Sequence, residues 1–398
     1  MLKAIEVAPD VYWVGAVDWN ERNFHGYTTE RGTSYNAYLI VDEKIALIDT
    51  CKGAFVDELL ERIADVVDPA SIDYVIANHG EPDHSGGVPA VMAAAPHAQL
   101  VCGAPQGKAV LAAHYGDGFD FLTVKTGDTL CLGKRTLSFV QTPMVHWPDN
   151  MVTYSDFDRI LFSNDAFGQH LASSQRFADE VGLPEVMVQA RKYYANIVMP
   201  YGKQVTKALA AVEGLELNLI APAHGVIWRS HISEILTAYR EWSSGEPQER
   251  AVVVYDSMWH TTESMAVQVA EAFVDCGVPV ELCDLKANHI SDIMSEVLPA
   301  RYVAVGSPTL NMTMMPTVAG FLCYLRGLAP KNRVGIAFGS YGWAPAGPND
   351  VAAALEAAGF EMPLPTLARQ WREDAEGLAA LRSAVCGLVR GEAAGEEA

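Results

Sequence analysis

Asn78-His79-Gly80-Glu81-Pro82-Asp83-His84 follows directly on the apolar run Tyr74-Val75-Ile76-Ala77. Four side chains able to bind a metal, His79, Glu81, Asp83 and His84, fall within six residues of one another. A short apolar run of this kind reads as a buried strand, and loops held at the end of a strand are where sites are commonly built. Gly80 and Pro82 argue against a helix here, which leaves the ligands free to splay towards one point. The same context recurs three times: His146 after a strand ending at Val140, Asp165 after Ile160-Leu161-Phe162-Ser163-Asn164, and His224 after Leu219-Ile220-Ala221-Pro222-Ala223. One histidine at a strand end is ordinarily structural, but repeated placement of this kind points to a shared metal. His97, His114, His170, His231 and His289 stand in polar or loop surroundings without an evident partner.

Outward from this motif, the chain of 398 residues divides in two. Before residue 240 or so, short β-rich runs at 38–41, 45–48, 74–77, 100–102, 136–140, 159–162 and 219–221 alternate with turns and with helical patterns at 56–67 and 203–212, which suggests two sheets covered by helices. The polar stretch Trp242-Ser243-Ser244-Gly245-Glu246-Pro247-Gln248-Glu249-Arg250 has the composition of a linker. Beyond it, strands at 252–255, 280–282, 302–305 and 334–338 alternate with helices at 263–276, 317–328, 349–358 and 373–389, the pattern of a doubly wound parallel sheet. A solvated tail is expected at 391–398.

Half the residues are apolar, and 28 Lys and Arg against 49 Asp and Glu give a net charge of −21. That balance opposes nucleic acid or an anionic membrane as partner, since both are bound by a basic face. No apolar stretch approaches a membrane span, and the start carries no secretory signal. Seven scattered cysteines do not form a disulfide framework. The expectation is a cytoplasmic protein.

The second part holds its own constellation. Its first strand runs into Asp256-Ser257-Met258-Trp259-His260-Thr261-Thr262-Glu263, a hydroxyl-bearing strand-to-helix turn suited to a phosphate. Helix capping by Thr261 or Thr262 would explain that turn if it stood alone. The third strand ends in Gly306-Ser307-Pro308-Thr309-Leu310-Asn311 and the fourth in Gly339-Ser340-Tyr341-Gly342-Trp343. Three loops at the carboxyl ends of parallel strands converge on one crevice, and Trp259, Tyr341 and Trp343 offer flat walls for an isoalloxazine ring. Neither a dinucleotide fingerprint nor a nucleotide-triphosphate loop is present.

The pattern His-x-Glu-x-Asp-His, followed by His, Asp and His, resembles the flavodiiron branch of the metallo-β-lactamase-like superfamily, and the second part resembles flavodoxin. Hydrolytic members commonly carry His where this chain has Glu81, and carboxylate-rich sites favour redox-active iron over zinc. The resemblance implies an α/β chain: an N-terminal metallo-β-lactamase-like αββα sandwich, residues 1–248, then a flavodoxin-like doubly wound parallel sheet, residues 249–398. It implies one iron held by His79, Glu81 and His146, a second held by Asp83, His84 and His224, and Asp165 bridging them. His25 and Tyr193, or Tyr194 in its place, would line the diiron pocket. FMN would bind at Ser257, Met258, Trp259, His260, Thr261, Thr262, Ser307, Pro308, Thr309, Leu310, Asn311, Ser340, Tyr341, Gly342 and Trp343. The implied activity is reduction of O2 to water, of NO to N2O, or both. With no Cys-x-x-Cys pair for a rubredoxin module, the expected donor is external, a separate rubredoxin or a reduced deazaflavin, and the expected assembly is a head-to-tail homodimer or a dimer of dimers. The rival readings are a zinc hydrolase fused to a flavodoxin, and an electron carrier using FMN alone.

Overall fold

The strand Tyr74–Ala77 is buried on both faces: Tyr74 and Ile76 face one apolar core, Val75 and Ala77 another. That is why its sequence is apolar throughout rather than alternating. In this computed structural model, which describes residues 2–372 and 374–392, it sits inside a seven-stranded sheet ordered Ile5–Ala8, Val11–Trp13, Tyr38–Ile40, Ala46–Ile48, Tyr74–Ala77, Gln99–Gly103, Phe121–Val124. A second sheet of five strands runs Thr129–Cys131, Thr136–Gln141, Met151–Ser155, Ile160–Asn164, Leu219–Pro222. Ile48, Ile76 and Val101 of the first sheet share a core with Phe139, Met151 and Phe162 of the second, so the sheets pack face to face. The outer face of the seven-stranded sheet packs on Leu59, Ile63, Val91 and Leu111 from flanking helices.

The chain forms two compact units. One holds the residues up to Tyr193 together with Tyr201–Ser243; the other holds Tyr194–Pro200 and the residues from Ser244 onward. The boundary at Ser243 and Ser244 falls within the stretch 242–250, most of which is nonetheless regular structure. The helix Ile232–Ser244 and the strand Gln248–Tyr255 claim most of it, leaving three residues between them. In the second unit a five-stranded sheet, all parallel, is ordered Val280–Asp284, Gln248–Tyr255, Ala300–Gly306, Val334–Tyr341, Leu367–Gln370. This second-first-third-fourth-fifth order is the flavodoxin arrangement, with its ligand crevice beyond the carboxyl ends of the first and third strands. Helices cover both faces: Val253 and Phe338 pack with Phe273 and Val385, while Val252 and Val305 pack with Phe321 and Leu355. The tail expected at 391–398 lies, from residue 393, outside the described residues.

The strand Met151–Ser155 is not signalled by its sequence, because Thr153 and Ser155 break the apolar run although all five residues are buried. Their hydroxyls are satisfied locally, Thr153 Oγ1 donating to Asn78 Oδ1 (2.7 Å) and Ser155 Oγ to Asp158 Oδ2 (2.7 Å). The motif also holds a surprise: Pro82–Ser85 is one turn of helix. Proline at the first helical position loses no hydrogen bond and arrives with the right φ, so Pro82 starts the turn it was expected to prevent.

Arg135 joins the two sheets. Its wholly buried guanidinium grips Asp158 twice (Nε to Oδ2 2.8 Å, Nη2 to Oδ1 3.1 Å), reaches Asp42 Oδ2 (3.4 Å) and donates to Pro9 O (2.6 Å). Replacing it by alanine strands two buried carboxylates, so Arg135→Ala should cost about 3–5 kcal/mol, read as a lower urea midpoint for the first unit. Burial pushes Asp42 up, but amide donors and Arg135 outweigh it and hold the carboxyl below its usual value. A depressed carboxylate adds stability above its unfolded value of about 3.9 and loses it as pH falls through the folded one, so the variant's deficit should narrow in acid.

Candidate metal centre and cofactor cavity

The candidate ligands collect where the two sheets end. His79 and Glu81 follow Tyr74–Ala77, Asp83 and His84 ride on the turn Pro82–Ser85, and His146 lies beyond Thr136–Gln141. Asp165 and His224 come just after the neighbouring parallel strands Ile160–Asn164 and Leu219–Pro222. They form two groups, each with donor atoms within 4.8 Å of one another: His79, Glu81, His146 and Asp165; and Asp83, His84 and His224. The two oxygens of Asp165 divide between them. Oδ2 lies 3.4 Å from His146 Nε2 and 3.7 Å from His79 Nε2, whereas Oδ1 lies 3.0 Å from His84 Nε2 and 3.6 Å from His224 Nε2. Glu81 Oε2 is 3.2 Å from His79 Nε2 and 3.3 Å from His146 Nε2; Asp83 Oδ2 is 3.2 Å from His224 Nε2. Metal bonds of about 2.0–2.2 Å set neighbouring donors roughly 3–3.5 Å apart, close to this spacing.

Buried atoms without hydrogen bonds mark the same place: both oxygens of Asp83, Nε2 of His84 and Oδ2 of Asp165. Each would cost about 1–3 kcal/mol if nothing filled its lone pairs. Electrostatics agree. Burial pushes His79 down, yet Asp149 and Glu81 reverse this and raise it to about 10; His146 rises to about 10 beside Asp165 and Glu81, and His84 to about 9 beside Asp83 and Asp165, both also against burial. Asp165, although wholly buried, is held far below the usual carboxylate range by those imidazoles. So much buried negative charge calls for cations, either protons or metal ions. The residues fit two metals sharing one carboxylate.

Further groups aim the ligands. Asp149 Oδ2 accepts from Gly80 N (2.6 Å) and His79 Nδ1 (3.0 Å), and Ser34 O accepts from His224 Nδ1 (2.7 Å), so both rings turn Nε2 inward. Asp49 was not singled out by sequence, yet it receives Asn78 N (2.8 Å), Asn78 Nδ2 (3.2 Å) and Asn164 Nδ2 (3.3 Å). It thereby ties together the residues that immediately precede His79 and Asp165. Gly225 after His224 has φ +77, and a Cβ there would lie 2.1 Å from Gln169 Oε1, so only glycine suits it.

At the pocket, His25 Nε2 is 3.0 Å from Glu81 Oε1 on a largely exposed ring. Tyr193, buried, donates its hydroxyl to Asp165 Oδ1 (3.0 Å), while Tyr194 belongs to the other unit. His170, left without a role by sequence, is buried here. Its ring lies 4.8 Å from that of His224 and 5.1 Å from that of Tyr193, with Nδ1 2.7 Å from Thr33 Oγ1 and Nε2 unpartnered. Burial holds it far below the usual histidine range. No strand run precedes His170, so no local signal marked it.

In the second unit a cavity of about 360 Å³ opens where the three loops meet. Met258, Trp259, Thr261, the run from Pro308 to Asn311, Ser340, Tyr341, Gly342 and Trp343 line it as expected. Ser257, His260, Thr262 and Ser307 do not. Thr262 and Ser307 lie beneath the wall, Thr262 Oγ1 meeting Ser340 Oγ (2.9 Å) and Ser307 Oγ accepting from Met315 N (2.9 Å). His260 turns out to Glu263 (2.6 Å). Sequence missed Met312, Ala344 and Trp371. Trp371 comes from beyond the last strand, where Thr261 Oγ1 donates to its carbonyl (3.2 Å). Buried Ser257 Oγ has no partner at the turn where the helix Thr261–Asp275 begins, and no side chain caps that helix. An orphan hydroxyl, free helix amides and aromatic walls fit a flavin mononucleotide.

Removing the acceptor shared by Gly80 and His79 isolates this outer support. Titrating metal-free Asp149→Ala with ferrous iron should show apparent affinity lower by about 10–100-fold, with flavin content unchanged.

A model described as the ODP family beta lactamase matches residues 33–225, and one described as flavodoxin matches residues 253–384. The chain is 44% identical to a nitric oxide reductase of Moorella thermoacetica over 95% of this chain and 96% of that protein. It is 43% identical to a rubredoxin-oxygen oxidoreductase of Megalodesulfovibrio gigas over 91% of each. The crystal structure of the flavodiiron protein from Giardia intestinalis matches with a TM-score of 0.94 at 36% identity, covering 98% of this chain and 97% of that one. Such identity across nearly the whole length, over both domains, makes the chain a member of the flavodiiron protein family and an oxidoreductase.

Proposed function

We propose that the chain reduces O2 to water, NO to N2O, or both, at a non-haem iron pair supplied with electrons through FMN. When bound, the flavin and the irons supply the electron storage that a diatomic's reduction requires. The chain's own residues do the rest. His79, Glu81 and His146 would hold one iron and Asp83, His84 and His224 the other, with Asp165 offering one oxygen to each group. Two sets of donors on the two oxygens of one buried carboxylate are the observation that carries this reading. Carboxylate-rich donors favour iron over the zinc of a hydrolase.

Both reductions consume protons along with electrons. His25, at Glu81, and Tyr193, whose buried hydroxyl keeps its proton far above the usual range, are the groups we assign to line the diiron pocket, Tyr193 as a hydrogen-bond donor and His25 as a donor of hydrogen bonds or protons. Thr261 and the loops at Pro308 and Ser340 would hold FMN, with the unpartnered Ser257 hydroxyl just behind the turn. Asp256 beside that turn does not repel its phosphate, because Lys286 Nζ sits 3.0 Å from Asp256 Oδ1 and Thr317 Oγ1 donates to Oδ2 (2.5 Å).

We assign the donor as a separate rubredoxin, with reduced deazaflavin as the alternative, and the assembly as a head-to-tail homodimer. In support, the rim of the flavin cavity is unusually apolar: Trp259 is 86% exposed and Trp343 79%, a surface suited to a second copy. No described helix is long and apolar enough to cross a membrane, and the seven cysteines are unpaired, which supports a cytoplasmic place.

Wild-type protein should carry about two irons and one FMN per chain. Asp165→Ala should lose most of its iron, keep its flavin spectrum, and lose reoxidation by either gas. Turnover retained in that variant, or zinc in place of iron in the wild type, would overturn the reading.

A further inference from the structure

The first and last helices of the second unit, Thr261–Asp275 and Ala375–Arg390, lie against one another. Val269, Ala270 and Phe273 of one share a core with Leu381 and Val385 of the other. Arg382 aligns them: its Nε donates to Asp275 Oδ2 (2.6 Å), and its Nη2 lies 3.6 Å from Glu271 Oε2. Cys386 stands one helical turn beyond Arg382, and Cys276 stands next to Asp275.

The two cysteines therefore meet. The Cys386 thiol donates to Ala272 O (3.4 Å), the same carbonyl that accepts the Cys276 amide (3.2 Å), and the Cys276 thiol approaches Cys386 O (4.0 Å). Burial, then the hydrogen bond and charge of the Cys276 thiol beside it, push the Cys386 thiol up to about 11. Their surroundings differ. Cys276 is half-buried at the end of its helix, whereas Cys386 is 9% exposed. One sulfur is open to solvent and the other faces its neighbour, the arrangement in which a first oxidation is captured by a resolving thiol.

We propose that Cys276 and Cys386 form a modification site, converted by hydrogen peroxide into a disulfide that clasps the first helix of the flavodoxin-like unit to its last. The Cys276 sulfur attacks one peroxide oxygen, the O–O bond breaks, and the departing hydroxide takes up the proton of that thiol to leave as water. The Cys386 sulfur then attacks the sulfenic sulfur of Cys276; the S–O bond breaks, and the proton of the second thiol goes with the hydroxide as another water. Two thiols lose two electrons, and peroxide gains them. The partners stand 110 positions apart in the chain, so the bond closes a long loop and restrains the unfolded state strongly.

The test treats holoprotein with a small excess of hydrogen peroxide, alkylates the remaining thiols and maps the unreduced peptides by mass. One cross-link, joining the peptides of Cys276 and Cys386 and reversed by dithiothreitol, is expected, with the thermal midpoint of the second unit raised by about 5 °C. Cys276→Ser should show neither the cross-link nor the shift, and Cys386→Ser should leave a sulfenic acid at Cys276 that dimedone traps. The cross-link is read on the wild type, so a variant that folds poorly does not decide the matter. Cys276 and Cys386 still alkylated as thiols once the exposed Cys131 and Cys323 are oxidised, or a cross-link between other cysteines, overturns the proposal. A Cys276–Cys386 bond that leaves the midpoint unchanged or lower overturns the clasp.

Discussion

A carboxylate withdrawn wholly from water survives only where other charge or donors replace the water it lost. Asp165 is in that position: it is 1% exposed, and four imidazoles and one phenol surround its two oxygens. The first unit is organised around meeting that requirement. Its two sheets end at the same place, so residues distant in sequence deliver their nitrogens from opposite sides. The tilt of the balance is informative. The imidazoles rise in proton affinity despite burial, because carboxylates outweigh desolvation.

Rigid delivery needs more than ligands. Asp49 gathers Asn78 from one sheet and Asn164 from the other, so the residues immediately before His79 and Asp165 share one anchor. Burial raises Asp49, against the pull of His84 and the amides that bond it. Asp149 performs the matching service for His79 through the loop that also carries His146. These contacts orient the donors towards one another, which favours tight binding by a preformed site.

Legibility followed the range of the interaction. The seven candidate ligands were readable because each follows, within a few residues, a run whose pattern marks a strand, as His79 and Glu81 follow Tyr74–Ala77. The parallel sheet of the second unit was readable for the same reason, and its three loops needed only the rule that strand carboxyl ends converge. What stayed hidden depends on packing between distant segments. Asp49 has meaning only once Asn78 and Asn164 lie beside it. His170 looks like any loop histidine until Thr33 and His224 close around it. Trp371 joins the flavin cavity from about a hundred residues beyond the turn it covers. Pro82 misled because proline breaks helices in their interior and starts them at their first position, and sequence does not say which applies.

The two sites meet opposite physical demands, and their surroundings differ accordingly. Metal ions need several charged donors held in a volume that water does not share, so those donors are almost entirely buried. A flat cofactor that exchanges electrons with other proteins needs one face gripped and another reachable. Its cavity is accordingly hydroxyl-lined at the turn near Thr261 and ringed by exposed indoles at Trp259, Trp343 and Trp371. Exposed aromatic surface of that kind is a liability in a free monomer. It is tolerable where association covers it, which is why we assign these indoles as the surface that the proposed partner would cover.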